Sequence, residues 1–149
     1  MSKFTKILTV TVYLILTLML LKINAVSKKQ VKSFLQDMSK DCDPKPTDED
    51  FEALLTHERN PSKSAKCLRL CLLKSSSILN SENQLDLNVS TDLFAMVYDD
   101  GEKTGGEIVT ACNSRVHETE LCEKAHLYGM CLLDEMKERN MKIEEFDEE

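Results

Sequence analysis

Six cysteines are the residues that first invite chemistry: Cys42, Cys67, Cys71, Cys112, Cys122 and Cys131. Thiols serve two ends at such spacings, ligation of a metal as thiolates or pairwise oxidation to disulfides. Cys67 and Cys71 are four apart, and so are Cys122 and His126, which suits a helical zinc site. Zinc thiolate sites belong mostly to reducing compartments, however, and the chain has no paired CxxC knuckle. The N-terminus indicates the compartment. Lys3 and Lys6 form a short basic region, Ile7 to Leu21 is an uncharged apolar run, and Ile23-Asn24-Ala25 ends on a small residue. That order is a secretory signal peptide, expected over residues 1–25 with cleavage after Ala25. A membrane-spanning helix needs about 20 apolar residues, and Lys22 closes this run too early. An even number of cysteines behind a secretion signal means disulfides, and the metal reading is set aside.

No other constellation supports catalysis, and neither an enzyme nor a cofactor is expected. His57, His117 and His126 lack a neighbouring nucleophile in any recognisable motif, and each reads as an exposed helical residue. The acidic stretch from Asp99 invites calcium. An EF-hand register started at Asp100 places Gly105 at its sixth position but Ala111 at its twelfth, where a bidentate Glu is required. There is no glycine-rich phosphate loop. Asn88-Val89-Ser90 is a glycosylation sequon. The formal charge of −7 becomes −10 once the leader and its three lysines are removed. Such a chain repels phosphate backbones, which excludes nucleic acid as a partner and favours solubility.

The elements that position the cysteines are helices. From Ser27 to Lys40, Val31, Phe34, Leu35 and Met38 recur at amphipathic spacing. Asp43-Pro44-Lys45-Pro46 breaks the pattern. Thr47 and Asp50 form a capping box for a helix from Asp48 to His57. The next helix is expected to start at Pro61 with Asn60 as cap and to run on through Leu73. Residues 80–88 read as a loop, Ser90 to Asp99 as a short helix, and Asp99 to Gly106 as a second loop. Further helices follow over Glu107 to His117 and Glu120 to Arg139, before an acidic tail from Asn140 to Glu149. The fold class is therefore all-α, with about six short helices in one domain over residues 26–149. On one helix, Cys67 and Cys71 share a face one turn apart, beyond the reach of an unstrained disulfide, so each bonds another segment. Cys122 and Cys131 lie about half a turn out of phase, so their helix is tied on both flanks and sits in the middle. The sequence alone does not choose among the remaining pairings.

The complete cysteine string, Cys42-x24-Cys67-x3-Cys71-x40-Cys112-x9-Cys122-x8-Cys131, resembles the six-cysteine insect odorant-binding family, which includes pheromone-binding and general odorant-binding proteins. The segments Cys71-Leu72-Leu73 and Cys122-Glu123-Lys124-Ala125 resemble it as well. Saposin-like lipid binders also have six cysteines but open with a CxxC pair that is absent here. The resemblance implies six helices around an internal apolar cavity, with disulfides Cys42–Cys71, Cys67–Cys122 and Cys112–Cys131. It also implies a secreted, extracellular carrier of small hydrophobic ligands such as odorants or pheromones, a monomer or weak dimer with no stable membrane anchor and a chemoreceptor as a potential partner. Olfaction is one setting for such a carrier. The apolar helix faces offer candidate ligand contacts at Phe51, Leu55, Leu72, Leu73, Ile78, Phe94, Val97, Tyr98, Val109, Val116, Leu127, Tyr128 and Met130. Apolar compounds are expected to bind strongly and charged ones weakly. The alternative is a secreted cysteine-rich signalling or defence protein that acts on a protein surface and has a filled core.

Overall fold

The computed structural model describes residues 27–142. The leader expected over residues 1–25 and the last part of the acidic tail, 143–149, lie outside the described residues. The described chain forms six helices. Helix α1 (Lys28–Met38) opens on a capping box between Ser27 and Gln30. Helix α2 (Asp48–Leu55) opens on the box of Thr47 and Asp50, with Asp48, Glu49 and Asp50 in its first turn, where the helix dipole favours acids. Lys28 and Lys32 reach from α1 to Glu52 of α2 at 2.8 and 3.3 Å.

Helix α3 (Lys63–Ser75) starts two residues later than the proline position suggests. Ser62 is the cap, its hydroxyl accepting from the Ala65 amide at 3.0 Å, while Pro61 is buried just ahead of the helix. A serine two residues before the apolar run satisfies an end amide that Asn60 is too distant to reach. The linker to α4 folds back on itself through an isolated bridge between Leu79 and Leu85. Asn113 then takes the Leu85 amide and carbonyl with its side-chain amide, at 3.0 and 2.9 Å.

Helix α4 (Leu87–Val97) is capped by Asp86, and α5 (Gly101–Arg115) begins six residues before the Glu107 expected from sequence. The expected loop at 99–106 is thus mostly helix. Two of its glycines serve helix contact: a Cβ on Gly101 would stand 2.1 Å from the Phe94 carbonyl oxygen and one on Gly105 2.6 Å from the Cβ of Phe94, so only glycine lets α4 lie this close to α5. Helix α6 (Leu121–Glu138) follows, capped by Glu120. Among the described residues no helix is long and apolar enough to cross a membrane.

The principal helix pairs are α4 with α5 and α3 with α6. Helix α5 joins the two pairs by packing on α6, α2 covers α3, and α1 rests on α2 and α3. Disulfides reinforce this frame. Cys42, after α1, bonds Cys71 of α3; Cys67 of α3 bonds Cys122 of α6; and Cys112 of α5 bonds Cys131 of α6. Helix α6 is held on both flanks. Helix α4 carries no cysteine and packs on α5 alone among the helices.

Candidate ligand-binding site

Two apolar clusters form the interior. The first lies where α5 crosses α6 and contains Leu79, Leu85, Ile108, Val109, Cys112, Val116 and Tyr128. Ile108, Val109 and Tyr128 have no exposed surface. Around them stand side chains that are only partly covered: Leu70 and Leu73 from α3, Ile78, Phe94 from α4, Leu132 and Met136 from α6, and Met141 beyond it. The second cluster is Phe51, Leu68 and Leu72, bordered by Leu35, Met38 and Leu54. Partly covered apolar side chains around a buried centre offer surface that a small apolar molecule can still remove from water.

The thirteen candidate contacts divide accordingly. Leu73, Ile78, Phe94, Val109, Val116 and Tyr128 come together in or on the first cluster. Phe51 and Leu72 belong to the second, and Leu55 is buried at the end of α2. Tyr98 stacks obliquely near Phe94, with ring centres 6.2 Å apart, and donates its hydroxyl to the Lys142 carbonyl at 2.6 Å. Met130 is buried, but Leu127 is 37% and Val97 68% exposed, so the structure does not bring these two to either cluster. Ile108, Leu85, Leu68 and Leu79 are also buried and are not among the thirteen sequence candidates. Ile108 stands directly before Val109 in the interior stretch of α5, a signal available from the helical phase.

Helix α4 leaves its other side uncovered. Leu93, Met96 and Val97 are 42, 80 and 68% exposed, and Phe34 of α1 is 62% exposed. Three surface recesses are present, two of them beside α4 and the third between α3, the end of α5 and α6. One of about 410 Å³ runs past Tyr98, Glu107, Arg139 and Met141. One of about 470 Å³ lies beside Arg59, His126, Leu127 and Asp134, and one of about 630 Å³ beside Leu87, Asp92 and Lys103. All three are open and edged by charged groups, so they suit water better than an apolar guest.

The polar groups inside fall into paired and unpaired sets. Glu135, 2% exposed, holds both Arg115 and Arg139. Hydrogen bonding from Arg139, against the cost of burial, and then from Arg115 keeps its carboxyl below the usual range. His126 departs from the exposed position expected of it: it is 2% exposed, its Nε2 facing the Arg59 carbonyl at 3.0 Å. Burial, assisted by the nearby Arg69 and Lys66 charges, lowers its pKa. His57 is half-buried in a left-handed turn that ends α2, and His117 is exposed. The Tyr128 hydroxyl, His126 Nδ1 and Arg69 Nε are buried without a hydrogen-bond partner among the described residues. Burial raises the Tyr128 pKa.

Comparison with known proteins agrees with this architecture. The chain is 32% identical to general odorant-binding protein 19d of Drosophila melanogaster over 102 residues, 66% of this chain and 68% of that protein. It is 26% identical to general odorant-binding protein 28a of the same species over 125 residues, 80% of this chain and 87% of the relative. The fold is shared with the solved odorant-binding protein dmelOBP28a from Drosophila melanogaster, at a TM-score of 0.63 and 24% identity, covering 78% of this chain and 100% of that one. It is also shared with Apis mellifera odorant binding protein 5, at a TM-score of 0.56 and 21% identity, covering 83% and 99%. The PBP/GOBP family model matches residues 24–135, and with its six helices and three disulfides the chain belongs to the PBP/GOBP family.

Proposed function

We propose that this protein is a secreted, non-catalytic carrier that takes a small hydrophobic molecule, such as an odorant or pheromone, into its interior and transports it through aqueous fluid. The observation that carries the reading is the set of partly covered apolar side chains, Leu70, Leu73, Ile78, Phe94, Leu132 and Met136, around the buried Tyr128. They stand in a frame whose α3, α5 and α6 are covalently tied, while α4 rests on α5 alone. A tied frame keeps the apolar walls apart, and a loosely held helix gives a guest a way in. The driving force is apolar area removed from water, about 25 cal/mol per Å². The names of the relatives above support the same reading.

Titration with an apolar fluorescent probe tests the proposal. Saturable binding, with displacement by unbranched aliphatic compounds, is expected. Substitution of Phe94 by Ala is expected to change affinity several-fold, the effect of removing a large apolar contact, while the helical circular dichroism signal is retained. A folded, fully oxidised protein that takes up no apolar probe would overturn the carrier reading.

A further inference from the structure

Arg69 lies in the middle of α3, one turn ahead of Leu72 and Leu73, and these two leucines belong to different clusters. Residues three and four ahead on a helix flank the same face, so Arg69 stands on the side of α3 between the clusters. Its guanidinium lies over the backbone of α6: a Cβ on Gly129 would stand 1.9 Å from Nη1. A glycine at this point is what gives the guanidinium its place.

The chain has four arginines. Arg59 holds Asp134, and Arg115 and Arg139 share Glu135. Arg69 holds no carboxylate among the described residues, and its Nε is buried without a hydrogen-bond partner. Lys66, one turn earlier on the same helix, is itself positive and takes Glu123 of α6 at 2.6 Å. Burial brings the Arg69 pKa down to about 10, which still leaves the group charged at neutral pH. A desolvated cation is costly unless an anion meets it. The guanidinium fork matches a carboxylate, with two parallel N–H donors for its two oxygens. The Tyr128 hydroxyl, adjacent in sequence to Gly129, is a second buried group without a partner.

We propose that Arg69 is the head-group anchor of the ligand site, and that this carrier selects amphiphiles with a carboxylate head and an unbranched apolar tail, the chemistry of a fatty acid. The head pairs with the Arg69 guanidinium, and the tail lies along Leu73 and the cluster around Tyr128. This rests on the carrier reading and narrows it. It also reverses, for anions of this kind, the expectation that charged compounds bind weakly.

Dodecanoate, 1-dodecanol and methyl dodecanoate are to be compared on the mature protein at pH 7 by displacement of an apolar fluorescent probe. Dodecanoate is expected to bind roughly tenfold or more tightly than the alcohol or ester, the scale of a charge-assisted pair. Arg69→Met is expected to level that difference and leave the alcohol within about twofold of its original affinity, the effect of removing the charge at similar apolar volume. Gly129→Ala, which displaces the guanidinium, is expected to weaken the acid selectively. A measurement on the unaltered protein does not depend on any variant folding: in carbon NMR of carboxyl-labelled dodecanoate, the bound carboxyl is expected to titrate at lower pH than the free acid. Equal affinity for acid and alcohol, a preference that survives Arg69→Met, or a bound carboxyl that titrates as it does in water would overturn the anchor and leave the carrier standing. If none of the three compounds binds, the carrier reading falls and this inference with it.

Discussion

Asp50 is 3% exposed, yet hydrogen bonds hold it as a carboxylate. It accepts from the Thr47 amide at 2.8 Å, the Thr47 hydroxyl at 3.0 Å, Ser62 at 2.9 Å and Ser64 at 2.8 Å. Burial works against ionisation, but these donors outweigh it and the pKa falls below 3.8. One side chain thus closes the cap of α2 and pins the start of α3 beside it. Asp50→Ala is expected to cost about 2–3 kcal/mol in urea unfolding, because the serine hydroxyls lose a charged acceptor. A depressed carboxyl stabilises the fold above its unfolded pKa and loses that contribution as pH falls through the folded value. The Asp50 contribution is therefore present at pH 5 and is lost below about pH 4. His126 acts in a higher window. Its folded pKa is lowered, so the unfolded chain takes the proton more readily, and stability falls as pH drops below 6.5. Tm is expected to decline between pH 7 and pH 5, and the decline to flatten in His126→Gln. An identical slope in the variant would assign the effect elsewhere.

At the scale of elements, the close fit of α4 on α5 depends on Gly105. Valine there would drive its side chain into Phe94, with the first added atom 2.6 Å from the Phe94 Cβ. Because α4 has no disulfide and packs on no other helix among the described residues, the damage is expected to stay local. Amide exchange in residues 87–97 of Gly105→Val is expected to speed up by an order of magnitude or more, the scale of a ~1–3 kcal/mol overpacking strain. Exchange in α3 and α6 is expected to change little. Uniform acceleration across the chain would show that α4 is part of one cooperative unit. The same glycine explains part of the misplaced start of α5. Gly101, Gly105 and Gly106 carry a loop signature in sequence, and what the sequence does not display is the helix packed against the first two of them.

Across the whole molecule, the disulfides close loops of unequal length. The bonded residues are 29, 55 and 19 positions apart for Cys42–Cys71, Cys67–Cys122 and Cys112–Cys131. If restriction of the unfolded chain dominates, longer loops gain more, so removal of the Cys67–Cys122 bond is expected to cost about 4 kcal/mol against about 3 for Cys112–Cys131. Double serine variants compared by thermal unfolding check that order, and the reverse order would show that native packing dominates over chain entropy. The loss of Cys67–Cys122 also separates α3 from α6, the pair that sets Arg69 against Gly129. It is therefore expected to weaken ligand binding more than the loss of Cys42–Cys71.

The class of this protein is legible in its amino-acid sequence. Helical period, caps such as Thr47 with Asp50, and the phases of Cys67, Cys71, Cys122 and Cys131 are local properties, set within one or two turns of chain. The cysteine string carried the family resemblance because disulfide geometry fixes how far apart helices can stand. The ends of α3 and α5 were less legible, since a helix end is decided by whichever cap or neighbouring helix competes best. The interior was decided only by tertiary structure. An apolar residue on a helix reads alike whether it faces the centre, as Val109 does, or solvent, as Val97 does. His126 reads as a surface residue until the Arg59 carbonyl and the α3 cations are brought beside it. Arg69 carries no sequence signal at all: an arginine in an amphipathic helix is ordinarily a solvated charge. Only the packing of α3 on α6, with Gly129 under the guanidinium, buries its Nε while supplying no hydrogen-bond partner among the described residues.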